Sequence, residues 1–308
     1  MNIKNTIYSL IIMVVFLAAS FSKDIDGTIM IDGLEREYIL HLPKNYGAES
    51  LPLLMVFHGG GGNAGQMKNH VKFNKLSDKE NFIVVYPNAV DKNWNDGRIG
   101  EKLPMQRDDV KFISNLIDTL ASKYKVDSKR IFSTGISNGG FFSIYLAYKL
   151  SNKILAIAPV TANIAVNLAD EFKPEYPVSI LLINGTKDPL VKYDGGAVGF
   201  GEDGFGRGES VSTERTIQIW TKNNGCGQNP VTEDIFNKDH KDGCKAVKYT
   251  YSGCKDGTEV ILVKIEGGGH TWPGASQYLP KIIVGTVCKD FNATEMIWEF
   301  FKQQKTRP

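Results

Sequence analysis

Compact apolar runs recur along the chain, and amphipathic stretches lie between several of them. "EREYILHLP", "LPLLMVFHG" and "FIVVYPNA" each read as a strand closed by Gly, Pro or Asn, and "RIFSTG" reads as a fourth. Between the last two, "RDDVKFISNLIDTLASKY" sets Val110, Ile113, Leu116, Ile117 and Leu120 at helical spacing. Asp108 and Asp109 suit the N-terminal turn of that helix, where negative charge meets the positive end of the peptide dipoles. "ILAIAPVTA" and "VSILLING" follow as almost uninterrupted apolar strands. A helix is predicted from about Thr213 to Lys222, then a strand "VILVKIEGG" and a terminal helix "ATEMIWEFFKQ". Strands apolar on both faces, alternating with helices, predict an α/β chain with a mostly parallel sheet covered by helices on both faces. The glycine-rich stretch "DGGAVGFGEDGFGRGE", Asp194 to Glu209, is a long irregular insertion.

With 308 residues, 42% hydrophobic and 23% charged, the chain can bury a sizeable core, and no Pro- or Ser-rich linker divides it. The net charge of +2 is spread over interspersed lysines and acids, which argues against a nucleic-acid footprint or a polybasic membrane patch. The first residues change the picture more. Lys4, the apolar run "IYSLIIMVVFLAA" and the small residues Ala18, Ala19 and Ser20 have the layout of a secretory signal peptide over 1–22. One folded unit is therefore expected over 23–308, secreted to the periplasm or the extracellular space and free of the membrane once the leader is removed. All four cysteines lie in the C-terminal third without C-x-x-C spacing, a pattern that suits disulfides in an exported protein better than zinc.

Candidate chemistry begins with "HGGGGNAG", which carries two competing signals. From Gly60 it spells G-x-G-x-x-G, and from His58 an HGGG-type turn. A dinucleotide site also needs an acid about twenty residues on, to hold the ribose hydroxyls, and "VVYPNAV" has none. A phosphate-binding loop would end in Lys-Ser or Lys-Thr, also missing. The second signal demands a nucleophile on a sharp strand-to-helix turn, and "RIFSTGISNGGFFSIYLAYKL" supplies Ser137 in Gly135-Ile-Ser-Asn-Gly139. In that arrangement an acid and then a histidine follow, each after a strand. "VSILLINGTKD" ends on Asp188, and "VILVKIEGGGHTWPG" delivers His270 on a glycine turn. The loop at Gly59 and Gly60 then provides one oxyanion N–H, Gly60 being the assigned residue, and Asn138 the other. His58 is expected to orient the loop. Trp94 and Trp272 are candidate walls for a phenolic acyl group, with core packing as their alternative role.

Taken together, "HGGGG", "GISNGG", "NGTKDP" and "GGGHTWPG" resemble the polyhydroxybutyrate depolymerase and feruloyl esterase family of secreted α/β-hydrolases, across essentially the whole mature chain. The resemblance implies the α/β-hydrolase fold and catalysis by Ser137, Asp188 and His270. It also implies a disulfide between Cys226 of "NNGC" and Cys254 of "YSGC", leaving Cys244 and Cys288 open. The substrates it implies are feruloyl-type polysaccharide esters or hydroxyalkanoate esters, the substrate being in either case an ester that could be polymeric. Neither a metal nor an organic cofactor is implied. One departure matters: Gly60 stands where family members often have Cys, which keeps the N–H and removes a side chain beside the acyl group. Ester and amide cleavage share this triad, so a peptidase or acyl-peptide hydrolase is a second reading; a non-catalytic carbohydrate-binding protein is a third.

Overall fold

A computed structural model describes residues 22–307 apart from 48, 105 and 202. The leader expected over 1–22 thus lies, up to residue 21, outside the described residues; among those described, no helix is long and apolar enough to cross a membrane.

Along the chain run β1 (Lys23–Ile31), β2 (Leu34–Leu42), β3 (Leu51–Phe57), α1 (Ala64–Val71), α2 (Phe73–Glu80), β4 (Ile83–Pro87), α3 (Asp109–Lys123), β5 (Val126–Ile136) and α4 (Asn138–Lys149). Then come β6 (Ala156–Val160), β7 (Ser179–Gly185), β8 (Gly196–Ala197), β9 (Glu209–Ser210), α5 (Thr213–Asn224), β10 (Val231–Asp234), β11 (Lys245–Tyr251), β12 (Val260–Glu266), α6 (Lys281–Val284) and α7 (Ala293–Lys302). Among the described residues, ten strands form one sheet in the order β1-β2-β4-β3-β5-β6-β7-β12-β11-β10, while β8 and β9 pair separately. From β4 to β12 neighbouring strands are parallel, and both flanks of the sheet are antiparallel.

Successive side chains of β3 point to opposite sides of the sheet, and both sides are dry. Leu53, Met55 and Phe57 enter one core with Ile113, Leu116 and Phe142 of α3 and α4. Leu54 and Val56 enter the other with Met67, Phe73 and Trp298 of α1, α2 and α7. Two such faces explain why the central strands read as continuous apolar runs. The mostly parallel sheet with helices on both faces is therefore as the sequence pattern implies.

The antiparallel flanks and the α1–α2 pair were not anticipated. β1 and β2 are joined by the two-residue turn Asp32-Gly33, both at positive φ (52° and 79°), a dipeptide suited to tight hairpins. β10 is exposed throughout, so no apolar pattern marks it. Asp108 caps α3 by accepting the Lys111 N–H at 2.8 Å, as a helix-start residue should. Its neighbour Asp109 does something else: it is buried, paired with buried Arg36 at 2.6 Å, and accepts the Asn95 N–H at 2.7 Å.

Candidate active site

β5 runs straight into α4 with no loop, so Ser137 sits at the junction with φ 55° and ψ −125°. A non-glycine residue there is strained, and the surroundings must hold it. The Ser137 N–H donates to Val160 O at 2.9 Å and Thr161 Oγ1 at 3.2 Å. The flanking glycines are sterically required. A Cβ on Gly135 would lie 2.6 Å from the Gly139 backbone, and one on Gly139 would lie 2.5 Å from Phe57 O. Ser137 itself is half-buried, lining a cleft of about 760 Å³ together with Gly59, Gly60, His270 and Tyr278.

His270 reaches that cleft from the turn after β12. It is buried, and its Nδ1 lies 2.7 Å from Asp188 Oδ2. Asp188 follows β7, and its other oxygen, Oδ1, accepts the Leu190 and Val191 N–H groups at 2.8 and 2.9 Å. The carboxylate is fixed on one side and holds the imidazole on the other, leaving Nε2 as the ring nitrogen free to face the cleft. The turn is also held by its own backbone: His270 N–H donates to Val284 O at 2.6 Å, and His270 O accepts the Tyr278 hydroxyl at 3.0 Å. Burial and the charge of Asp188 push the Tyr278 hydroxyl above the ordinary phenol range, so it stays a donor.

Gly60 and Asn138 meet beside Ser137; a Cβ on Gly60 would lie 3.7 Å from Asn138 Cβ and 2.9 Å from Asn93 Oδ1. Asn138 opens α4, where the first N–H groups of a helix lack partners within it. Its buried side chain has a further job that sequence reading missed. Asn138 Oδ1 accepts Trp94 N–H at 2.8 Å, while Nδ2 donates to Trp94 O at 3.0 Å and Asp96 Oδ2 at 2.7 Å. Asp96 in turn grips Arg98 through both oxygens, both residues being buried. His58 orients the glycine loop, its Nδ1 donating to Gly59 O at 2.8 Å and its Nε2 accepting the Ala89 N–H at 3.1 Å. Burial lowers its pKa and keeps it neutral.

The two tryptophans do not line the site. Trp94 is fully buried, stacked on Phe142 at 4.8 Å and donating its indole N–H to His58 O at 3.1 Å. Trp272 is 1% exposed, edge-on to Phe73, with its N–H on Thr294 Oγ1 at 3.0 Å. Both are core residues beneath the site, corrected from candidate walls, because each ring is enclosed and its one donor is already satisfied. Phe200, Phe205 and Val198 of the glycine-rich insertion, with Leu190, line a second chamber of about 320 Å³ together with Arg98, Lys102 and Arg207; it shares Ser137, Leu190 and Arg207 with the larger cleft. No periodic pattern marks those residues as site-forming. Cys226 and Cys254 are joined, with S–S 2.06 Å, tying the end of α5 to the end of β11.

Comparisons with known proteins find esterases. Residues 36–170 match the family model described as esterase, PHB depolymerase. The putative esterase NocK of Nocardia uniformis subsp. tsuyamanensis is 26% identical over 279 residues, covering 88% of this chain and 80% of that protein. Feruloyl esterase B of Piromyces equi is 31% identical over 245 residues, covering 76% of this chain; this chain spans 42% of its length. The solved acetyl xylan esterase from Aspergillus awamori superposes with a TM-score of 0.57 at 16% identity, covering 87% of this chain and 94% of that one. The shared fold is the α/β-hydrolase fold.

Proposed function

Since this chain belongs to the polyhydroxybutyrate depolymerase and feruloyl esterase family, we propose that it is an exported esterase that cleaves carboxylic esters through an acyl-enzyme on Ser137. His270 Nε2 takes the Ser137 proton as Oγ attacks the ester carbonyl. The resulting oxyanion is held by the Gly60 and Asn138 backbone N–H groups, fixed dipoles that need no reorganisation as charge develops. His270 then passes the proton to the departing alcohol, and water repeats the sequence to release the acid. Asp188 keeps the His270 proton on Nδ1 and balances the imidazolium charge. The observation that carries this reading is the 2.7 Å contact between His270 Nδ1 and an Asp188 carboxylate already anchored by two backbone amides. The Cys226–Cys254 bond supports export to an oxidising compartment.

The two chambers divide the substrate. A departing alcohol must lie where His270 can protonate it, and His270 lines the larger, open cleft, whose other walls include Asn63, Gln66, Asn69 and Tyr278. The acyl part then occupies the smaller chamber, whose aromatic walls suit a hydroxycinnamoyl or short hydroxyalkanoyl group. The open cleft leaves room for a polymeric alcohol. The test is release of acid from methyl ferulate, acetylated xylan and hydroxybutyrate oligomers by the purified protein. Turnover of one of these, lost in Ser137→Ala, is expected; absence of hydrolysis across the panel refutes the reading.

A further inference from the structure

Two thiols outside this site lie side by side. Cys244 directly precedes β11, and Cys288 closes the segment 284–288. Both are buried, at 4% and 1% exposure. Their Sγ atoms and a carboxylate oxygen of Asp242 lie within 4.8 Å of one another. Asp242 holds the two turns together, with Oδ1 accepting the Cys244 N–H at 2.7 Å and Oδ2 the Lys289 N–H at 2.9 Å.

Segment 284–288 is the strap against which the His270 turn rests. Val284 O accepts the His270 N–H, Thr286 O accepts the Gly269 N–H at 2.9 Å and the Thr271 hydroxyl at 3.2 Å, and Cys288 O accepts the Gly274 N–H at 2.9 Å. We propose that Cys244 and Cys288 form a second disulfide, which fastens this strap to the start of β11. The bond is independent of the esterase reading; only its consequence for catalysis rests on that reading.

A metal fits the same atoms less well. A structural zinc site takes four ligands, and among the described residues this cluster offers three, with both Asp242 oxygens already accepting backbone N–H groups. The oxidant is a low-molecular-weight disulfide such as oxidised glutathione. One cysteine thiolate attacks it, forming a mixed disulfide and releasing one glutathione thiolate. The second cysteine thiolate attacks the protein-side sulfur, forming the Cys244–Cys288 bond and releasing the second glutathione. Both protein sulfurs are oxidised, the glutathione disulfide is reduced, and the two released thiols carry away the two protons. In the folded, reduced chain, the adjoining Cys244 thiol and burial push the Cys288 thiol up and keep it protonated. Exchange therefore belongs to the folding chain, before the cysteines are enclosed.

The test uses the full chain exported to an oxidising compartment. It is denatured without reductant, alkylated and mapped as non-reduced peptides. No cysteine should be alkylated, and a Cys244–Cys288 peptide should appear beside Cys226–Cys254. Alkylated Cys244 and Cys288, a different pairing, or stoichiometric zinc released on denaturation overturns the proposal. This map needs no variant, so it stands even where a substitution prevents folding. A Cys244→Ser, Cys288→Ser double variant then reads the fastening role by hydrogen exchange. Amides of Gly269, His270, Thr271, Trp272 and Gly274 should exchange at least ~10-fold faster while those of β5 are unchanged, and equal exchange at these five refutes that role.

Discussion

Replacing Asp188 by Asn tests the site through a change of one atom. Asp188 Oδ1 receives two backbone N–H groups, from Leu190 and Val191, so only an oxygen can occupy that position. The substituted amide must keep its oxygen there and turn its NH2 toward His270 Nδ1. Nδ1 then becomes an acceptor, the ring proton moves to Nε2, and the nitrogen that should receive the Ser137 proton is blocked. Both backbone donors remain satisfied, so the fold should be preserved. A wrong tautomer in a serine triad lowers kcat by about 10⁴, equivalent to about 5.4 kcal/mol at about 1.36 kcal/mol per tenfold. The assay is steady-state hydrolysis of the best panel ester by the variant, with circular dichroism and a thermal melt as controls. A folded Asp188→Asn protein within about tenfold of the parent kcat would refute the assignment of Asp188 as the residue orienting His270.

Two further outcomes follow from the surroundings of the site. Burial lowers the pKa of His58, and of His70, below the imidazole value. The unfolded chain therefore binds more protons than the native one as pH falls below about 6.5, and stability drops in that window toward the lower folded pKa. Burial raises Asp109, despite its Arg36 partner, which acts with the opposite sign but from the carboxylate range upward. The urea midpoint should fall between pH 7.5 and 5.5, less steeply in His58→Gln, and equal slopes in parent and variant would contradict the burial argument. Trp94→Ala should cost about 3 to 5 kcal/mol of stability as a core cavity, measured by urea unfolding. A change in acyl preference without that loss would restore Trp94 as a substrate wall.

Sequence legibility followed physical type. The central strands were readable because burial on both faces leaves them uniformly apolar, and Ser137, Asp188 and His270 because each follows such a strand on a turn whose geometry demands glycine or a short residue. β10 and β11 carry no comparable signal: one is exposed throughout and the other half-buried. The β1–β2 hairpin is legible in Asp32-Gly33, a dipeptide suited to a two-residue turn. Trp94 misled because sequence proximity to a polar, glycine-bearing stretch says nothing about which way the ring turns; Asn138 turns that stretch so that the indole lies beneath the site. Phe200, Phe205 and Arg207 were invisible as site residues, because an irregular glycine-rich segment has no period from which to infer a facing side.

The claim on which the account depends is that Ser137 is the nucleophile, and covalent capture reads it directly. Titrating the purified protein with diethyl 4-nitrophenyl phosphate should release about one nitrophenolate per chain, abolish ester hydrolysis in parallel, and leave a diethyl phosphate on the peptide containing Ser137. The His270→Ala variant should label at least ~100-fold more slowly, having lost its general base. Inactivation with the adduct on another residue, or undiminished ester hydrolysis by a folded Ser137→Ala protein, would contradict the account.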